Sequence, residues 1–288
     1  MRKLKPILKT AIRPCFRSFA KSKLSNLRKL QEPSAEKLAV AIDQALSNVK
    51  DTDEAAWIER IEQARRELNL SATLIQKTDF GAGTADSIRS ADIEDDGVSV
   101  ELTVGEISRD SSKPYIWALL LLKVVREFKP SLLIELGTSV GISGAYQASA
   151  LKINNSDGNL ITLEGDKAIA ALAESNLDKL GLDNVTVVQG KFADSLDEVL
   201  SQNGPVDYVF VDGHHDEKAT IAYFNQIKPH LASKAVVIFD DISWSPGMKR
   251  AWQQIEKNED VNLSADLENI GICVMDKAIR QKLSLIHI

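Results

Sequence analysis

The chain has 288 residues, with 35 Lys+Arg against 41 Asp+Glu for a formal charge of −6, and 44% of it is hydrophobic. At ~150 residues per domain this suits one or two domains with a substantial core, and it excludes a disordered or collagen-like chain. The longest apolar run, Tyr115 to Leu122, has eight residues against the ~18 a membrane span needs; Cys15 and Cys273 show neither CxxC spacing nor zinc-like clustering, which argues against a disulfide framework and a Cys-rich metal site and suits a reducing, cytoplasmic setting.

The mean charge conceals an asymmetry. Residues 1–30 hold ten Lys/Arg and no acid, so the remainder carries 25 bases against 41 acids, a net −16. Within this basic arm Leu4, Leu8, Ile12, Phe16 and Phe19 recur at helical spacing, interrupted by Pro14. Three readings stay open: peripheral contact of residues 1–30 with anionic lipid or another acidic partner, an organellar transit peptide, or a solvated or docked terminus.

Two amphipathic helices follow, one marked by Leu38, Ile42, Ala45, Leu46 and Val49, the other by Trp57, Ile58, Ile61, Ala64, Arg65 and Leu68. From Thr78 to Ser112 the periodicity weakens, and Asp92, Glu94, Asp95 and Asp96 form an acidic cluster. A stretch of that length reads as a long loop or flap of the kind that closes binding sites. After Pro114 the pattern turns regular. A helix over Tyr115 to Phe128 leads to the apolar run Leu132-Leu133-Ile134; further strands are expected at Leu160 to Leu163, Val185 to Val188, Val206 to Val211 and Ala235 to Phe239, with a helix over Asp166 to Leu180. Such apolar strands alternating with helices indicate a parallel sheet covered on both faces, a doubly wound α/β body with an N-terminal helical extension. Ser245-Pro246 reads as an N-cap with Pro at the first helical position, and Val261 to Leu263 with Gly271 to Met275 as a closing antiparallel pair. The segments divide as 1–32, basic arm; 33–110, helices and flap; 111–288, α/β domain.

In such a sheet, ligands bind beyond the carboxyl ends of the strands. The first end reads Glu135-Leu136-Gly137-Thr138-Ser139-Val140-Gly141-Ile142-Ser143-Gly144, a glycine turn opening a helix. The second ends at Glu164, whose carboxylate can accept both hydroxyl hydrogens of a ribose. The third gives Gln189-Gly190-Lys191-Phe192, where a small residue and a ring can flank an adenine. Together they describe a nucleoside pocket. The spacing Gly137-x-x-x-Gly141-x-x-Gly144 departs from the dinucleotide fingerprint, and acidic Glu135 suits a cationic amino-acid ligand better than a pyrophosphate.

These motifs, with Val206-Asp207-Tyr208-Val209-Phe210-Val211-Asp212-Gly213-His214-His215 and Phe239-Asp240-Asp241-Ile242-Ser243-Trp244, resemble the class I S-adenosylmethionine-dependent methyltransferases. Within that class they are most similar to the small-molecule O-methyltransferases that include the catechol and caffeoyl-CoA enzymes. The resemblance covers roughly residues 115–276 and implies a Rossmann-like sheet and S-adenosyl-L-methionine as cofactor. It implies that Glu135, Gly137, Thr138 and Ser143 face the methionine part, that Glu164 binds ribose, and that Gly190 and Phe192 line the adenine, with Asp212 also at the cofactor. Asp212, Asp240 and Asp241 fall where metal-dependent members hold a divalent ion such as Mg, although those members typically have Asn at the last position. His215 stands where the caffeoyl-CoA branch has a lysine resembling a general base, and imidazole can take that role beside Asp212.

The function implied is transfer of a methyl group to the hydroxyl of a small-molecule acceptor, with or without a divalent metal. Two rivals stand beside it: a non-catalytic binding or scaffold protein of the same fold, docked through its basic arm, and a methyltransferase acting on nitrogen or carbon. The fourth strand end, Val211-Asp212-Gly213-His214, lacks the Asn/Asp-Pro-Pro-Tyr/Phe pattern of enzymes that methylate amide or base nitrogens. Nucleic acid is not expected as substrate, because the body is net acidic.

Overall fold

A computed structural model describes residues 22–80, 83–84, 87–88, 97–155, 157–279 and 282–287. The helix expected over Leu4 to Phe19 and the cluster at Asp92 to Asp96 lie outside these residues. No described helix is long and apolar enough to cross a membrane.

Three helices open the described chain. Residues 22–28 form α1, followed by α2 (Pro33–Ser47) and α3 (Thr52–Leu70). Pro33 occupies the first turn of α2, where its missing N–H costs nothing, and Asp51 and Glu54 close a reciprocal capping box on α3. The expected stripe of α2 is buried from Leu38 to Leu46, but Val49 lies beyond the helix and is 51% exposed. Asn48, in the left-handed conformation, ends the helix before it.

Where it is described, the segment expected to be a loop or flap holds regular elements. Strands β1 (Leu74–Asp79) and β2 (Val98–Thr103) pair antiparallel from Leu74↔Thr103 to Asp79↔Val98, and α4 (Val104–Ser111) follows directly. Val98, Val100 and Leu102 alternate with Ser99 and Glu101, a period-2 signal too short and polar to stand out from its surroundings. Thr103 caps α4 by the same box geometry, with Glu106.

Next come α5 (Tyr115–Phe128), β3 (Leu132–Leu136), α6 (Ile142–Ile153), β4 (Asn159–Glu164), α7 (Lys167–Leu180) and β5 (Val185–Gln189). The chain continues through α8 (Phe192–Gln202), β6 (Val206–Val211), α9 (Glu217–Ile227), β7 (Leu231–Phe239) and α10 (Pro246–Glu256), then β8 (Leu263–Asp266), β9 (Gly271–Asp276) and β10 (Ser284–His287). The sheet order is β10-β8-β9-β7-β6-β3-β4-β5. Strands β3 to β7 run parallel, β9 is antiparallel to β7 and to β8, and β10 joins β8 in parallel. The doubly wound sheet is therefore as expected. The antiparallel pair near the end is present with β8 displaced to Leu263–Asp266, and β10 was not foreseen.

Because side chains alternate across a strand, the central strands feed two cores. Leu133, Leu160, Tyr208, Phe210 and Ile238 face the layer of α1, α2, α5 and α6; Ile134, Leu163, Val209, Val237 and Phe239 face the layer of α8, α9 and α10. Helix α2 packs along α5, and α3 packs on α6. Strand order reverses beside β3, where the chain leaves β5 and returns as β6 on the other side. That reversal opens the crevice in which the sequence motifs meet.

Candidate active site

A cavity of about 370 Å³ lies over the carboxyl ends of β3, β4 and β6. Gly137, Glu164, Phe192, Asp212, His215 and Asp241 all line it. Glu135, Thr138, Ser143, Gly190 and Asp240 do not line it and lie beneath or beside its wall.

The turn after β3 is held from below. Glu135 is fully buried and accepts hydrogen bonds from Gln147 Nε2 and Thr162 Oγ1, both at 2.8 Å, while Thr138 and Thr162 share a hydroxyl contact at 2.6 Å. Burial pushes the Glu135 carboxyl up to about 7, against the hydrogen bonds from Ser143, Thr162 and Gln147. Above it, Gly137 has φ +102°, and a Cβ there would sit 2.1 Å from the Asp212 carbonyl oxygen. The close approach of β3 and β6 needs glycine at this point.

Glu164 projects from the end of β4 and accepts backbone N–H groups from Ser139 at 2.9 Å and Asp166 at 3.1 Å. Each carboxylate oxygen keeps lone-pair capacity for a further donor. Burial raises its pKa, opposed by those two hydrogen bonds. Over it lies Phe80 from the end of β1: a Cβ on Gly165 would come within 2.8 Å of the Phe80 ring. Asp166 caps α7 and its second oxygen accepts Thr78 N–H at 2.6 Å, so the hairpin is pinned on this side of the cavity. Lys191 Nζ lies 5.3 Å from the Phe80 ring centroid.

After Asp212 the two histidines part. His214 Nδ1 meets the Tyr223 hydroxyl at 2.5 Å and its ring stands edge-on to Phe192. His215 Nε2 lies 3.8 Å from Asp241 Oδ2 and 4.0 Å from Asp212 Oδ1, with its ring against Trp244. Burial lowers the His215 pKa below its ordinary 6.5, and the Asp241 and Asp240 carboxylates only partly offset this. Ser139, His214, His215 and Asp241 all have positive φ, a concentration of sparsely populated backbone at strand ends that is a mark of functional sites.

Lys113 is the residue that sequence reasoning missed. Its ammonium sits between Asp212 Oδ1, at 2.9 Å, and Asp240 Oδ2, in direct contact with both. Burial opposes its charge, but the two carboxylates outweigh burial and hold it protonated. The acids that the resemblance assigns to a divalent ion thus already surround a cation. Among the described residues no group of three or more His, Cys, Asp or Glu is arranged to hold a metal. The donor set does not fit a divalent ion while Lys113 is in place.

Residues 134–242 match a family model described as a methyltransferase domain. This chain is therefore similar to that domain over residues 134–242, which is less than half of its length. A catechol O-methyltransferase of Niastella koreensis is 39% identical over 94 residues, which is 32% of this chain and 40% of that relative's length. The match therefore spans about two-fifths of the relative. Among solved structures, the O-methyltransferase from Bacillus cereus in complex with SAH is 22% identical with a TM-score of 0.53, covering 83% of this chain and 98% of its own. The SAH-bound methyltransferase of Podospora anserina is 15% identical with a TM-score of 0.50, covering 57% and 80%. At these identities the solved structures establish a shared fold alone.

Proposed function

We propose that the domain transfers a methyl group from S-adenosylmethionine to a hydroxyl of a small-molecule acceptor, with His215 as the proton acceptor. The observation that carries this is the meeting of Gly137, Glu164, Phe192, Asp212 and His215 in one cavity. The Niastella koreensis relative, a catechol O-methyltransferase by name, supports hydroxyl oxygen as the acceptor atom. When bound, S-adenosylmethionine supplies an electrophilic methyl group on a sulfonium, whose sulfur leaves as the neutral thioether of S-adenosylhomocysteine.

The chain's own residues do the rest. Glu164 accepts the ribose hydroxyls, and Gly137 leaves room for the amino-acid part to approach the backbone. Phe192 and Phe80 give apolar walls to the nucleoside, so the hairpin covers the cofactor end rather than the acceptor alone. His215 Nε2 takes the acceptor proton as an oxygen lone pair forms the bond to the methyl carbon and the carbon–sulfur bond breaks. No covalent intermediate with the chain is needed; positioning and proton removal supply the catalysis. No step passes through a metal ion.

Calorimetry with S-adenosylmethionine and a methyl-transfer assay on hydroxylated acceptors test the reading. Glu164→Ala is expected to weaken cofactor binding by about tenfold or more, from loss of a charge-assisted hydrogen-bond pair. His215→Ala is expected to lower turnover by about 10²-fold or more with cofactor affinity little changed. Cofactor binding without methyl transfer to any hydroxylated acceptor favours the non-catalytic reading instead.

A further inference from the structure

Lys113 is held at both ends. Its carbonyl accepts a hydrogen bond from Arg65 Nη1 at 2.7 Å, and Pro114 behind it starts α5. Its side chain is only 11% exposed, and the ammonium lies against Asp212 and Asp240, from the ends of β6 and β7. We propose that Lys113 is the resident cation of this active site in place of a divalent metal, and that it receives one oxygen of a mono-hydroxylated acceptor. This rests on the O-methyltransferase reading for the acceptor, but not for the exclusion of the metal.

The argument is one of charge and donor count. A divalent ion on Asp212 and Asp240 must displace an ammonium that already satisfies them, or share a largely buried space with it at a repulsive distance. An ion with six or more ligand positions can hold two neighbouring oxygens of an acceptor as a chelate. An ammonium has three N–H donors, and two are committed to Asp212 and Asp240. One donor remains for the cavity that Lys113 lines, enough for a single oxygen. As His215 takes the proton from that oxygen, the Lys113 N–H stabilises the developing negative charge. An adjacent second hydroxyl gains nothing at this site, so a vicinal diol is not required. The tether also explains why Asp241 can stand apart, 3.8 Å from His215 Nε2, without completing an ion's ligand set.

The test titrates the full-length protein with Mn²⁺, followed by calorimetry and by the paramagnetic resonance signal of free Mn²⁺, neither of which needs turnover. The wild type is expected to show no site, and Lys113→Met, which frees the two carboxylates, to acquire one with Kd near ~10⁻⁴ M. Lys113→Met combined with Asp240→Asn should lose it again. A wild-type site tighter than ~10⁻⁴ M overturns the proposal; this measurement stands even where Lys113→Met fails to fold. In the activity arm, methylation of a simple phenol is expected to withstand EDTA and to match that of catechol within about tenfold. EDTA-sensitive turnover confined to catechol overturns the acceptor assignment. Absence of methyl transfer on every acceptor, with the Mn²⁺ results as expected, sinks the O-methyltransferase reading and the acceptor assignment while the lysine-for-metal exchange stands.

Discussion

Glu135 is a fully buried acid whose pKa is pushed up to about 7 by desolvation. Between its ordinary value of 4.5 and that value, the folded protein keeps the proton while the unfolded chain releases it. Stability from this group is therefore present at low pH and is lost as pH rises through that window, by on the order of 3 kcal/mol in all. Thermal melts at pH 5 and pH 8 check this: Glu135→Gln, which keeps an acceptor for Gln147 Nε2, is expected to lose this part of the pH dependence. His215 obeys the opposite requirement, since only its neutral form accepts a proton. Burial lowers its pKa below 6.5, so kcat/KM is expected to be flat from about pH 7 upward and to fall only on the acid side of 6.5. A fall already under way near pH 8 would assign the limb to another group.

At the scale of elements, the site depends on strand ends drawn close together. Gly137 has φ +102° and would place a Cβ 2.1 Å from the backbone oxygen of Asp212. Gly137→Ala therefore requires β3 and β6 to separate at the cavity floor, and a loss of at least ~2 kcal/mol is expected from denaturant midpoints, with weaker cofactor binding. The hairpin makes a different contribution. Thr78 is tied to Asp166, and Phe80 lies over Gly165, so β1 reaches the Glu164 side of the cavity through two contacts of unlike kind. Phe80→Ala is expected to reduce S-adenosylmethionine affinity by about tenfold by calorimetry, with the melting temperature little changed because this ring is only half-buried.

Over the whole molecule, the boundary expected at residue 32 does not separate arm from body. Leu24 and Leu27, in α1, are 1% and 0% exposed and belong to the same core as α2 and α5. Arg28 reaches Asp43 at 3.0 Å and Glu36 at 3.6 Å, so part of the arm's positive charge faces acids of the next helix. Exposed pairs of this kind add little stability, whereas the leucines add much. Leu27→Ala is expected to cost about 2–5 kcal/mol in a denaturant titration. A cost near zero would restore residues 22–32 to the status of an appendage.

Much of this architecture was legible in the residue order because its signals are local. Leu132-Leu133-Ile134 is an apolar run between polar turns, Ser245-Pro246 is a helix start, and a glycine turn with acids at successive strand ends is readable as a pocket without coordinates. The hairpin of β1 and β2 was not legible, since pairing partners stabilise strands whose own alternation is weak. Lys113 was not legible either, for it lies 99 residues from Asp212 and 127 from Asp240. Residue order alone determined the doubly wound sheet and the group of side chains at its carboxyl ends, because apolar periodicity and turn chemistry act over a few residues. Tertiary structure alone decided which cation those carboxylates hold, because that choice is made by a lysine from a distant segment, brought there when α5 packs against the sheet.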